Sequence, residues 1–542
     1  MNEQVEQRQR ATEKLIASMS MEQLVGQLLV TGFEGVEAPQ LLKDHIRNHL
    51  VGGVILFRRN IFDADQTQYL TRSLQETASG AGEELPMLIM IDQEGGRVTR
   101  FDFAGRLPSA MALGAAGSRS YTYIAGQSCG KVLCALGINV NCAPVLDVLT
   151  NSKNTCIGTR SFGSDPERVA ELGAQYINGL QSADVMAVAK HFPGLGAASF
   201  DTHLGPARVD KTVDELLECD LKPFEEAFRY GVAMVMATHA EYPKLPRDGE
   251  LPASLSPYIL TDLLRGRLDF RGPAVTDDLS MGAVAGRYGL AEAAVQAITA
   301  GADLLLFCHN LDEIEAVHSA IMSAIIGGEL PSERVLEAAI RVLWLRAELK
   351  DRSARAAKAP SLSLDDLGPD MQELMFHEIA ENAICVVKDE KGLLPVDADS
   401  SVLVVLPGLE RLFNLQSSQK LRSLRDAMLD YFETVSEAIY DLDSPSSGQV
   451  NDVLRKANAA DVVVFCTFSA GSHPRQLALG KKVSLLDKPR ILVALDEPFD
   501  LSLLKGFGTT IAAFGFAEPT FRALASIIAG ESSPGGRMPV EI

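Results

Sequence analysis

From residue 28 to about residue 310, short and almost wholly apolar runs alternate with longer stretches in which apolar positions return every three or four residues. Leu28–Thr31, Val51–Phe57, Met87–Asp92, Ile138–Cys142, Val185–Lys190, Ala233–His239, Ala274–Asp277 and Ala302–Phe307 are runs of the first kind. Continuous apolar character over so few residues is what a strand buried on both faces requires. Helical patterns lie between them, for example Asp214–Arg229, interrupted at Pro223, and Leu290–Ala300. Eight strand–helix units predict a closed (β/α)8 barrel of the TIM type rather than an open sheet. Only Phe101–Ala116 is irregular enough to hide a further strand.

Past Leu349 the pattern lapses. Residues 350–366 are rich in small and basic residues, carry Pro360, and read as a linker between residues 1–349 and 367–542. Ser401–Pro407, Asp461–Phe468, Arg490–Asp496 and Thr509–Phe514 then alternate with helical segments such as Asp452–Ala460 and Phe521–Ala529. That alternation predicts a second, smaller, doubly wound α/β domain.

Composition narrows the partners. The 542 residues carry 50 Lys+Arg against 71 Asp+Glu, a formal net charge of −21 shared by both parts of the chain. Nucleic acid is bound largely by neutralising phosphates, so a chain this acidic without a dense basic stripe is a poor nucleic-acid protein. No apolar run reaches the length of a membrane span. The first 30 residues are polar and helical and lack the features of a signal peptide. The eight cysteines are scattered without a CxxC pair, several inside apolar runs (Cys142, Cys308, Cys385, Cys466), and read as small buried hydrophobes in a reduced compartment. The expected location is cytoplasmic, with monomer and dimer both open.

Where polar residues fall points to chemistry. Asp92, Lys190, His239 and Asp277 each sit where an apolar run stops, and barrels gather their ligand chemistry at the carboxyl ends of the strands. The plainer alternative is that strand ends are polar because the loops after them are solvated. Three stretches tip the balance: Asp92-Gln-Glu-Gly-Gly-Arg-Val-Thr-Arg100, the glycine-containing segment from Lys190 to His203, and Val275-Thr-Asp-Asp-Leu-Ser-Met281.

Together these motifs resemble glycoside hydrolase family 3, in its β-N-acetylglucosaminidase branch, strongly from Met21 to Leu349 and more weakly beyond. The resemblance implies a retaining mechanism in which Asp277 is the nucleophile that forms a covalent glycosyl ester. Adjacent strand residues face opposite ways, so Asp278 is the better candidate for capping the following helix. In Asp201-Thr-His203 the resemblance implies a His203 acid/base oriented by Asp201; residues i and i+2 of an extended segment share a side, which suits that pairing. It further implies that Asp92, Arg100, Arg160, Lys190 and His191 hold the non-reducing sugar, with His239 and Met281 lining the pocket. Arg97 or Arg100 would instead bridge Glu94 or Asp102, and Arg97, Arg100, Arg160 and Lys190 would form a basic pocket. Pro193, Gly194 and Gly196 offer points at which the acid/base loop could swing. The loop departs from the family pattern at Leu195, where His is usual.

No cofactor or metal is expected: no HxH or HExxH nucleus is present, and His45, His49, His309, His318, His377 and His473 have no motif around them. The expected partner is an N-acetylglucosamine-containing oligosaccharide or muropeptide. The alternatives are a phosphorylase on the same scaffold, a metal-dependent hydrolase, and a degenerate sugar-binding regulator.

Overall fold

A computed structural model of the chain describes residues 2–198, 206–248, 250–356, 369–409 and 422–542. Eight parallel strands close into a barrel in chain order: β1 Leu29–Thr31, β2 Gly53–Leu56, β3 Leu88–Ile91, β4 Val140–Asn141, β5 Met186–Phe192, β6 Met234–Ala237, β7 Ala274–Asp278 and β8 Leu304–Phe307. The ring closes where Leu29 pairs with Leu305. Each strand coincides with one of the eight apolar runs. Nearly every strand residue is buried, as expected of a sheet with side chains packed inside it and helices outside.

Pro223 acts as anticipated. The pattern 214–229 splits into helices Val213–Glu218 and Lys222–Arg229, with Pro223 in the first turn of the second, where its missing N–H costs nothing. The irregular stretch after β3 holds no strand; it ends in the helix Ala110–Ala116, capped by Ser109. At the amino end of β8, buried Asp303 receives Arg265 (2.6 Å), Arg334 (2.6 Å) and Arg341 (2.9 Å). Polar residues at that end of the barrel are therefore structural.

The C-terminal sheet has six strands: β9 Cys385–Asp389, β10 Val402–Pro407, β11 Val435–Tyr440, β12 Val462–Thr467, β13 Arg490–Ala494 and β14 Thr509–Ala512. Their order is β11-β10-β12-β13-β14-β9, parallel except for β9, which runs antiparallel to β14. The helix Ser447–Ala459 crosses over from β11 to β12, and the helix Glu518–Ala529 follows the last strand, β14.

The chain divides into two compact units. The first comprises residues 1–93, 123–148 and 173–367 and contains the whole barrel. The second joins residues 368–542 to two excursions that follow β3 and β4, residues 94–122 and 149–172. Of the expected linker, residues 350–356 complete a helix running from Ser332 to Ala356, and the remainder lies outside the described residues.

Candidate active site

In the first unit, β3 and β5 bring two of the expected residues together. Lys190 is buried, and its Nζ donates to Oδ1 of Asp92 across 2.8 Å. The register between β5 and β6 slips at Lys190/Phe192, a bulge of the kind that re-aims side chains beside active sites. His191 follows in the bulge, and its partner is a residue the sequence reading passed over. Beyond β4 the chain stays alongside β5, with Val145 bridging to Lys190 and the Leu146 N–H donating to the Lys190 carbonyl at 2.6 Å. This carries buried Asp147 against His191. Oδ2 of Asp147 accepts from Nδ1 of the ring at 2.7 Å, while Oδ1 accepts from the His191 backbone N–H at 3.3 Å and the Leu195 N–H at 2.6 Å. Because the carboxylate accepts, Nδ1 carries a hydrogen, which leaves Nε2 as the ring's acceptor when it is neutral.

At the end of β7 the two adjacent aspartates differ. Asp278 is engaged from three sides: its carboxylate accepts from the Ser280 N–H (3.1 Å), the Ser280 hydroxyl (2.6 Å) and the Cys308 N–H (3.1 Å). It is not the cap of the following helix; Gly282–Tyr288 begins after Met281, whose side chain is buried. Asp277 is half-buried, and its Oδ1 accepts from the Asp278 N–H at 2.8 Å. Burial alone would push the Asp277 carboxyl up. The electrostatic pull of His239, His191 and Lys190, with that N–H, outweighs it and holds the group below the usual carboxylate range. His239 is fully buried at the end of β6, donating from Nε2 to the Asp278 carbonyl (2.9 Å) and bonded through Nδ1 to the Ser254 hydroxyl (2.6 Å).

Asp201 and His203 lie outside the described residues. The segments on either side are anchored. Leading in, Leu195 is buried and tied to Asp147, and the Tyr242 hydroxyl donates to the Gly194 carbonyl at 2.7 Å. Gly194 has φ 125°, and a side-chain carbon there would sit 2.5 Å from Cβ of Asp220. It serves close approach rather than swinging. Leading out, Val209 and Ala207 exchange backbone hydrogen bonds with Glu241 (2.9 and 2.8 Å), and Lys211 pairs with Asp220. Burial pushes the Asp220 carboxyl up, with Lys211 opposing.

The expected arginines belong to the second unit. Arg160 forms a two-pronged pair with Glu94, Nε to Oε2 at 2.8 Å and an Nη to Oε1 at 2.9 Å. Arg97 is structural, but not with Glu94 or Asp102. It donates to the carbonyls of Thr155 (2.6 Å) and Ile157 (3.0 Å) and pairs with Glu497 at 3.3 Å and Asp496 at 3.6 Å. Asp102 faces Arg106 at 3.9 Å, and Arg100 is half-buried. Asp496 accepts from the hydroxyls of Thr159 (2.7 Å) and Ser469 (2.6 Å). Burial, with Asp496 beside it and Arg97 opposing, lifts Glu497 to about 8, and burial lifts Asp500 to about 7. Lys190, Arg97 and Arg160 are thus each paired with a carboxylate.

The profile for the glycosyl hydrolase family 3 N-terminal domain matches residues 20–345. Beta-hexosaminidase A of Pseudoalteromonas piscicida is 29% identical over 553 residues, covering 93% of this chain and 91% of its own. Beta-hexosaminidase LpqI of Mycobacterium tuberculosis is 35% identical over 338 residues, covering 61% and 84%. Among solved structures, a glycoside hydrolase family 3 β-N-acetylglucosaminidase from Paenibacillus sp. str. FPU-7 superposes with a TM-score of 0.91 at 34% identity, over 97% of this chain and 99% of that one.

Proposed function

The chain belongs to glycosyl hydrolase family 3, and from that premise we propose that it is a retaining exo-β-N-acetylglucosaminidase with Asp277 as its nucleophile. The observation that carries the reading is the state of Asp277: a carboxyl at a strand end, kept ionised by His239, His191 and Lys190. An ionised, rigidly held carboxylate is what attack on an anomeric carbon needs. In the first step Asp277 bonds to that carbon as the bond to the aglycone oxygen breaks, and His203 gives its proton to the departing oxygen. In the second, His203 takes a proton from water, which displaces Asp277 and restores the β-configuration. Asp201 orients His203. Asp92, Lys190 and His191 hold sugar hydroxyls, and His239 and Met281 complete the pocket. The terminal sugar is N-acetylglucosamine, in keeping with the names of the relatives above, and the substrates are muropeptides or chitooligosaccharides undergoing recycling in the cytoplasm.

The test follows the anomer first released from a chromogenic N-acetyl-β-glucosaminide by NMR, in buffers with and without phosphate. β-N-acetylglucosamine is expected, and Asp277→Ala is expected to reduce the rate by about three orders of magnitude or more. Release of the α-anomer would overturn retention. N-acetylglucosamine 1-phosphate as the main early product would replace hydrolysis with phosphorolysis.

A further inference from the structure

Strands β8, β1 and β2 form an arc of the barrel rim between Asp277 on β7 and Asp92 just past β3, and none of the residues assigned above lies on it. What the arc carries is an aromatic stack. Phe57, the first residue past β2, packs its ring against the imidazole of His309, two residues past β8, with centroids 5.6 Å apart and planes 30° apart. The Arg59 guanidinium lies over the same Phe57 ring at 4.6 Å.

The stack is held from three strands. Arg59 donates to the carbonyls of Phe33 (2.9 Å) and Cys308 (2.6 Å) and pairs with Glu34 at 2.9 Å. Buried Asn60 accepts from the Phe57 N–H at 2.9 Å and donates to the carbonyls of Phe33 and Gly35. Phe57 is half-buried and His309 is exposed, so the imidazole is the member of the stack that meets solvent.

Its place is set by Cys308. That residue donates its N–H to Asp278, and its thiol is pushed up by burial and then by the negative charges of Asp278, Asp92 and Asp277. His309 is the next residue, on the same carboxyl end of the barrel that carries Asp277. An exposed ring, backed by a second ring and fixed on the rim of the strand beside β7, has the chemistry that recognises the apolar C–H face of a pyranose.

We propose that His309, backed by Phe57 and Arg59, is a stacking platform for the sugar in the leaving-group position. The platform gives the enzyme a preference for a carbohydrate aglycone over a non-sugar one. This rests on the N-acetylglucosaminidase reading above.

The test compares kcat/KM for N,N′-diacetylchitobiose with kcat/KM for 2,2,2-trifluoroethyl N-acetyl-β-glucosaminide, whose leaving group is activated but too small to stack. In His309→Ala the disaccharide-to-trifluoroethyl ratio is expected to fall by about tenfold, the order expected for one lost ring contact. His309→Phe, which keeps a ring but no ring nitrogen, is expected to restore it. An unchanged ratio, or equal losses on both substrates, overturns the platform, and failure of the phenylalanine to restore the ratio overturns stacking as its mode. Failure of the unaltered enzyme to cleave either substrate would instead sink the N-acetylglucosaminidase reading, before any variant is compared.

Discussion

At the scale of single residues, Asp147 has the most to say about how the site is held. One carboxylate serves the His191 ring, the His191 backbone and the Leu195 backbone. Asp147→Asn keeps the volume but leaves one of those donors facing an amide nitrogen. Hydrogen bonds to a charged group contribute about 1.5–3 kcal/mol, so kcat/KM is expected to fall by roughly ten- to a hundredfold, with a changed pH profile because the imidazole loses its anionic partner. A loss of folded protein with an unaltered pH profile would reduce Asp147 to scaffolding. Asp277 gives a second prediction. Burial raises its carboxyl, and the electrostatic pull of His239, His191 and Lys190 more than compensates. In His239→Gln that pull is weakened, so the acid limb of kcat/KM against pH is expected to move to higher pH; a limb that stays in place would argue that His239 has no part in keeping Asp277 ionised. The sequence exposed Asp92, Lys190, His239 and Asp277 because each interrupts an apolar run where a strand ends. Asp147 escaped because β4 is only two residues long and the apolar run continues through Val145 and Leu146, so that the aspartate looks like an interruption of nothing. The Glu94–Arg160 pair escaped for another reason: its members are 66 positions apart, and a linear reading matches charges to their neighbours.

At the scale of elements, all eight barrel strands and four strands of the C-terminal sheet were legible, since burial on both faces writes a continuous apolar run. The two missed strands, β9 and β11, are the edges of that sheet. Val435–Tyr440 alternates buried and accessible positions, and Cys385–Asp389 is buried only at its start, so neither has the signature of a central strand. The segment before Asp201 shows a different limit. Glycines there read as swing points, but Gly194 is where backbone and Asp220 come into close contact at a φ few other residues adopt. Gly194→Ala is therefore expected to cost more than about 1 kcal/mol and to lower activity with it, as read by thermal unfolding and kcat. Unchanged values for both would mean that this stem is not pinned as described.

At the scale of the whole molecule, the acidity that argues against nucleic acid is also internal. An open α/β sheet holds its ligands beyond the carboxyl ends of its strands. In the second unit that position past β12 and β13 is taken by protein: Asp496 gives its oxygens to Thr159 and Ser469, and Glu497 receives Arg97. Glu497 and Asp500 bind protons more tightly when folded than the ordinary carboxylate does. Their contribution to stability is thus fully present below the ordinary carboxylate range and is lost as pH rises toward about 8. Glu497→Gln imitates the protonated form, so it is expected to match the unaltered protein in Tm at pH 5 and to exceed it at pH 8.5. Equal Tm values at both would show that Glu497 does not titrate in this range.

The bonds that join these excursions to the C-terminal sheet also impose an order in time. Thr159 meets an acceptor made 337 residues later, and Arg97 one made 400 residues later. At a synthesis rate of about 5–20 residues per second, Arg97 waits roughly 20–80 s for Glu497 to be made. The barrel strands are all complete by then, while residues 94–122 and 149–172 have each other but still lack their contacts to the C-terminal sheet. The growing chain thus passes through a stage in which the barrel can close before two of its own loops have the sheet they are bonded to, and a ribosome stalled before residue 496 would hold the enzyme there.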